Sequence, residues 1–216
     1  MTSLVSIVDV DENIVLEEEL EGLIFDCDGT LVDSMPGYWL SWYETCQHFG
    51  LIFTQERFYE LAGVPVEDIF SLLINESTLD QKPTVEECCI YKKRAQMEIK
   101  KKVGTPAIQC VVDIVRKYHG KKPMAVASSG WRDHVLNSLR ENNIEHLFDH
   151  IVTAEDIVNP KPAPDIFLEA ARRINCNPEK CRGYEDGEIG LQSLRAAKME
   201  AIDVRKFDLY PRPKFN

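Results

Sequence analysis

The sequence lacks a basic excess: 25 Lys and Arg stand against 36 Asp and Glu, a formal charge of −11. Proteins that grip extended nucleic acid carry a basic face, so nucleic acid is not an expected partner. The sequence also lacks an apolar run of about 18 residues, the length a membrane helix needs. A membrane is therefore not an expected partner either. The N-terminus lacks the basic-then-apolar order of a secretory signal. Cysteine is present but unpaired in pattern: seven residues, at 27, 46, 88, 89, 110, 176 and 181. The odd number and irregular spacing argue against a disulfide framework. Cys176 and Cys181 have no second pair and no nearby His to complete a zinc site. Reduced thiols in a cytoplasmic protein are the simpler reading. There is no internal repeat and no low-complexity segment.

What is present is 216 residues, 44% of them hydrophobic. That suffices for one ordinary domain, or a core with a modest insert. The chain is organised around residues 21–34. Leu23, Ile24 and Phe25 form the short apolar run of a strand buried on both faces. Asp26 and Asp28 follow, two apart, so on an extended chain both side chains point the same way. Gly29 permits a sharp turn and Thr30 adds a hydroxyl. Acidic groups at the carboxyl end of a buried parallel strand lie where open α/β sheets bind ligands. Two like charges ~4 Å apart repel by roughly 4 kcal/mol at an effective dielectric near 20. One must be protonated or a cation must lie between them, and hard oxygen ligands favour Mg²⁺.

Residues 1–20 read as an N-terminal extension. Ile7-Val8-Asp9-Val10-Asp11 imitates the acidic motif but lacks the Gly-Thr turn. Residues 4–17 read as a strand pair or frayed arm, and Glu17 to Glu19 as a solvated turn. From 35 to 104 the pattern is helical. Trp39, Trp42, Tyr43 and Cys46 form an amphipathic stripe. Helices are expected over 56–62, 66–73 and 84–101, the last capped by Thr84 with Glu87. This is an all-helical insert. Residues 105–216 restore the α/β alternation. Strands are expected near 123–127, 149–153, 181–184 and 201–204, separated by helices, with a loose tail rich in Pro and Lys. The fold class is α/β: a doubly wound parallel sheet from 21–34 and 105–216, with a small helical cap over 35–104.

Each later strand ends with chemistry. Ser128 and Ser129 precede a helix, whose N-terminus can bind an anion. Lys161 lies among Pro160, Pro162 and Pro164, which fix where it points. Glu185 and Asp186 add two carboxylates at the end of a buried strand. In order, Asp26-x-Asp28-Gly-Thr, Ser128, Lys161 and Glu185-Asp186 resemble the four motifs of the haloacid dehalogenase superfamily. The resemblance runs from residue 21 to about 204. Asn159 to Phe167 and Leu191 to Met199 also look like the subgroup holding beta-phosphoglucomutase and a bacterial fructose-1-phosphate phosphatase.

The resemblance implies that Asp26 is a nucleophile and Asp28 the general acid and base. It implies that Thr30, Ser128 and Ser129 hold phosphate, and that Lys161 neutralises charge on it. Mg²⁺ is the implied cofactor, with Asp26, Asp28 (through its carbonyl), Glu185 and Asp186 as ligands. The expected activity is hydrolysis of a small phosphorylated metabolite, a sugar or polyol monophosphate, by a monomer. A mutase is the alternative; the positions where it needs cap charge are Ala62 and Val66. A degenerate, non-catalytic binding module is the other. Tyr38 stands where many relatives carry His, Gly187 where Ser is usual, and Lys198 where Gly is common, at a helix end. Arg132 either lies near substrate or faces solvent. The five His fit no motif and read as structural.

Overall fold

The computed structural model describes residues 17–61 and 64–211. The arm expected over 4–17, apart from Glu17, and the imitation motif at 7–11 lie outside the described residues, as does Ala62. In chain order the main elements are β1 (Gly22–Phe25), α1 (Met35–Phe49), α2 (Gln55–Glu60), α3 (Val66–Glu76) and α4 (Val85–Val103). Then come α5 (Gln109–Tyr118), β2 (Met124–Ala127), α6 (Arg132–Glu141), β3 (His150–Val152), α7 (Asp165–Arg173), β4 (Cys181–Glu185), α8 (Glu188–Ala196) and β5 (Glu200–Asp203). The described residues form two compact units. One runs to Asp33 and resumes at Pro106; the other is Ser34–Thr105.

The first unit is built on a five-stranded sheet of order β3-β2-β1-β4-β5, every neighbouring pair parallel. Alternation along the strands explains its two layers. Leu23, Phe25, Met124 and Val126 face α5 and α6, meeting Val111, Val112, Val115, Val135 and Leu139. Ile24, Ala125 and Ala127 face the other way, against Ile166, Phe167, Ala170 and Ala171 of α7 and Leu194 of α8. A strand apolar at every position is what a sheet covered on both sides requires. Phe25 stacks on Tyr184 at 4.6 Å between centroids, as the Phe25–Tyr184 register predicts.

The second unit is helical. Its core holds Trp42, Cys46, Phe53, Phe58, Phe70, Leu73 and Cys88. The α1 stripe is rotated from the expected one. Trp42 and Cys46 are buried, but Tyr43 is 48% exposed, because the buried seam runs through Ser41, Trp42, Thr45 and Cys46. Thr84 caps α4 in a full capping box with Glu87. Among the described residues no helix is long and apolar enough to cross a membrane.

Two corrections concern the ends. Leu20, placed in the extension, is 1% exposed and belongs to the main core; Glu17 to Glu19 do form an exposed turn. The tail is not loose as far as Tyr210. Phe207 and Tyr210 pack against the core, and the Tyr210 hydroxyl donates to the carbonyl of Gly29 at 2.7 Å. Aromatic rings won over the local Pro and Lys composition. Replacing Tyr210 by Phe removes that bond and keeps the ring, so it should cost about 0.5–1.5 kcal/mol in urea unfolding. An unchanged midpoint would mean the bond contributes nothing.

Candidate active site

The register of the sheet assembles the site. Phe25 pairs with Tyr184, and the Asp26 amide donates to the Tyr184 carbonyl at 3.0 Å. Asp26 and Glu185 are therefore side by side where β1 and β4 end. Lys161 joins them: its ammonium donates to Asp26 Oδ1 and to Glu185 Oε2, both at 2.7 Å. The three side chains are buried, none above 9% exposed. Glu185 is further fixed because its Oε1 accepts from the Asp186 and Gly187 amides at 3.2 and 3.0 Å. Gly190 of α8 leaves room for it; a Cβ there would come within 2.1 Å of the Glu185 carboxyl carbon.

Gly29 is needed twice over. Its φ is +84°, and a Cβ would fall 2.2 Å from Asp186 Oδ2. The turn thus draws Asp186 against the chain after β1. Thr30, fully buried, donates its hydroxyl to Asp186 Oδ1 at 3.0 Å. The expected contact with phosphate is a separate role of the same hydroxyl. With its proton given to Asp186, Thr30 orients a carboxylate, and a phosphoryl contact would require that proton to be released.

Carboxylate oxygens of Asp26, Glu185 and Asp186 lie within 4.8 Å of one another. Three carboxylates face one ammonium, and the imbalance shows in their proton affinities. Burial, and then the charge of Glu185, push the Asp26 carboxyl up to about 7 despite the offsetting pull of Lys161. Burial, Glu185 and Asp26 push Asp186 well above the ordinary range. Lys161 is disfavoured as an ion by burial, but Asp26 and Glu185 outweigh that and hold it protonated above its usual range. One ammonium shared between two carboxylates satisfies itself more fully than it satisfies them. Converging hard oxygens with surplus negative charge fit a divalent cation of the Mg²⁺ kind.

Ser128 is 1% exposed at the end of β2. Its amide donates to Val152 and its Oγ accepts from the Gly130 amide at 3.1 Å. That bond does not use the hydroxyl proton. Ser129 is exposed. Asp28 is not one of the three converging carboxylates, though its charge also raises Asp26, and His134 Nε2 lies 3.6 Å from its Oδ1. The sequence pattern reads His134 as structural; its place in the first turn of the helix that follows Ser128 is what sets it beside Asp28. Arg132 is committed within its own unit. Its guanidinium bonds Asp156 and its amide donates to Glu155 at 2.8 Å, while Asp156 also pairs with Arg173 at 2.7 Å. Lys198 takes φ +61° just beyond α8, which explains the Gly common there.

A parallel sheet with this site at its carboxyl edge defines a haloacid dehalogenase-like hydrolase, and the chain belongs to that family, whose model matches residues 23–204. It is 33% identical over 188 residues to the fructose-1-phosphate phosphatase YqaB of Escherichia coli, covering 87% of this chain and 98% of that one. It is 30% identical to a phosphorylated carbohydrates phosphatase of Thermotoga maritima, over 85% of this chain and 84% of that one. The crystal structure of beta-phosphoglucomutase from Clostridium difficile is similar in fold, with a TM-score of 0.66 at 22% identity, covering 84% and 83% of the two chains.

A ligand that binds only the folded state stabilises it by about 2.7 kcal/mol at a hundredfold excess over Kd. Saturating Mg²⁺ should therefore raise the melting temperature by roughly 5–10 °C, and chelator should reverse the shift. In Asp186→Asn the shift should largely vanish. Equal shifts in both proteins would remove Asp186 from the cation site.

Proposed function

We propose that this chain is a Mg²⁺-dependent phosphatase that hydrolyses a small phosphorylated metabolite, a sugar or polyol monophosphate, through an aspartyl-phosphate. The observation that carries the reading is Asp26. It is a buried carboxylate at the end of the central strand, held by a Lys and backed by two more acids. Desolvated and fixed, it suits nucleophilic attack on phosphorus better than a solvated surface Asp does. The two relatives named as sugar-phosphate phosphatases support the substrate class.

Asp26 attacks phosphorus through one carboxylate oxygen and a P–O bond forms. The bond from phosphorus to the leaving oxygen breaks, and Asp28, as the acid, gives that alkoxide its proton. Asp28, now a carboxylate, removes a proton from water. The hydroxide equivalent attacks phosphorus, and Asp26 leaves with its original charge as inorganic phosphate departs. Lys161 and the Ser128 hydroxyl stabilise negative charge on the non-bridging oxygens. Asp26, Asp186 and the Asp28 carbonyl, with Glu185 beside them, would hold Mg²⁺, which supplies charge neutralisation to the carboxylates and the phosphoryl oxygens.

Hydrolysis is favoured over mutase chemistry. A mutase must bind phosphate at both ends of its intermediate. Val66 is apolar and packs against the helical core of its own unit, and Arg132 is tied to Asp156. Asp26→Asn should fold normally and lose at least a thousandfold in kcat, because an amide does not attack. With hexose monophosphates the native enzyme should release phosphate in step with substrate loss. Interconversion of glucose 1-phosphate and glucose 6-phosphate outrunning phosphate release would revive the mutase. Absence of any turnover with Mg²⁺ across phosphorylated metabolites would favour a binding module.

A further inference from the structure

We propose that His134 is a positioning residue for Asp28, holding the carboxylate that serves above as acid and base; the proposal rests on that reading. One short segment, Gly130 to His134, lies beside the Asp28 carboxylate. A Cβ on Gly130 would lie 3.6 Å from Oδ2, so that oxygen sits close over the Gly130 backbone. Oδ1 lies 3.6 Å from His134 Nε2. Oδ2 thus lies beside the backbone at 130 while Oδ1 faces the imidazole at 134.

The segment that carries both residues is held firmly. The Gly130 amide donates to Ser128 Oγ at 3.1 Å. The Gly130 carbonyl accepts from the Ala154 amide at 3.3 Å. The Arg132 amide donates to Glu155 at 2.8 Å, and Val135 is fully buried in the main core. His134 therefore projects from a fixed first turn of α6. Its side chain is 26% exposed and that of Asp28 20%, so water competes only in part for the contact.

At 3.6 Å the pair is too long for a hydrogen bond. Catalytic contacts are commonly long without substrate and tighten around it. The terminal torsion of Asp is broad, and a small rotation closes the gap. Nε2–H then donates to Oδ1 and keeps its proton throughout. Only Oδ2 exchanges a proton with the leaving oxygen and later with water. One oxygen held by an N–H fixes the plane of the carboxyl group, and proton transfer in the transition state is sensitive to that orientation.

The test separates positioning from general damage by the leaving group. An alkoxide needs the proton that Asp28 delivers; a nitrophenolate departs without it. The measured quantity is kcat/KM with a hexitol monophosphate and with p-nitrophenyl phosphate. His134→Ala should lose about tenfold more on the hexitol phosphate than on the aryl phosphate, the worth of one charge-assisted hydrogen bond. His134→Gln, which keeps an N–H at similar reach, should recover most of that difference. If His134→Ala melts early, His134→Leu, which fills the space without an N–H, takes its place in the comparison. Asp28→Asn, assayed alongside, should discriminate between the substrates more strongly still. Equal losses on both substrates in His134→Ala, with discrimination intact in Asp28→Asn, would overturn the role of His134 and leave that of Asp28 standing. No discrimination in Asp28→Asn would overturn the acid assignment and the proposal with it.

Discussion

The buried ammonium of Lys161, shared between Asp26 and Glu185, is the constraint on which the site depends. Without it the ends of β1 and β4 would bring carboxylates together with nothing to separate them. Like charges at such distances cost several kcal/mol each even at an effective dielectric near 20. The ion pairs do not make this a stabilising feature, since taking the charges out of water costs about as much as their attraction returns. Stability comes from the two apolar layers on either side of the sheet. Those layers also set the register that makes the carboxylates converge. The packing that offsets the cost of the site is the packing that creates it.

The convergence of the candidate site was legible because its parts are local. Asp26 directly follows Leu23-Ile24-Phe25, and Glu185 directly follows the β4 residues that pair with them. A strand apolar at every position has nowhere to lie but a covered sheet, so the charges that interrupt it must fall at its end. Lys161 was legible for another local reason, the prolines around it. What the sequence could not show is which hydroxyl meets which carboxylate. The resemblance implies phosphate as a partner of Thr30; the fold adds Asp186, to which the hydroxyl donates. That outcome depends on the turn at Gly29 bringing Asp186 within reach, a contact across more than 150 positions of chain.

Long-range side-chain contacts account for the other gaps. Tyr210 sits in a segment whose Pro and Lys content signals a loose tail, and only the folded sheet supplies the Gly29 carbonyl that it meets. Arg132 has two readings in the sequence, and only the fold supplies Asp156 and Glu155, on the loop after β3, which bond its guanidinium and its amide. His134 lies at the third position of α6, and its direction is set by how that helix rolls on Val135 and Leu139. Periodicity identifies the buried face of a helix. It does not say which end of the exposed face lies over a ligand site.

The helical unit shows one case where the sequence held more than the stripe at Trp39 to Cys46 revealed. The buried positions of α4 are Cys88, Lys92, Ala95 and Ile99, spaced as one face of a helix. Lys92 therefore occupies a core position, and it is 6% exposed. Its ammonium donates to Gln96 at 3.0 Å and lies 5.0 Å from the Trp42 ring and 5.8 Å from that of Tyr38. Burial, the largest influence, pulls it down to about 8. Neutral amide oxygen and aromatic faces hold a cation less firmly than carboxylates do, in contrast to Lys161, where two acids reverse the same burial. Asp26 breaks a strand pattern and Lys92 breaks a helix pattern. In both units the costly charge is found where an otherwise consistent apolar period is interrupted, and it is the interruption, more than the period, that marks where packing alone does not account for the choice of residue.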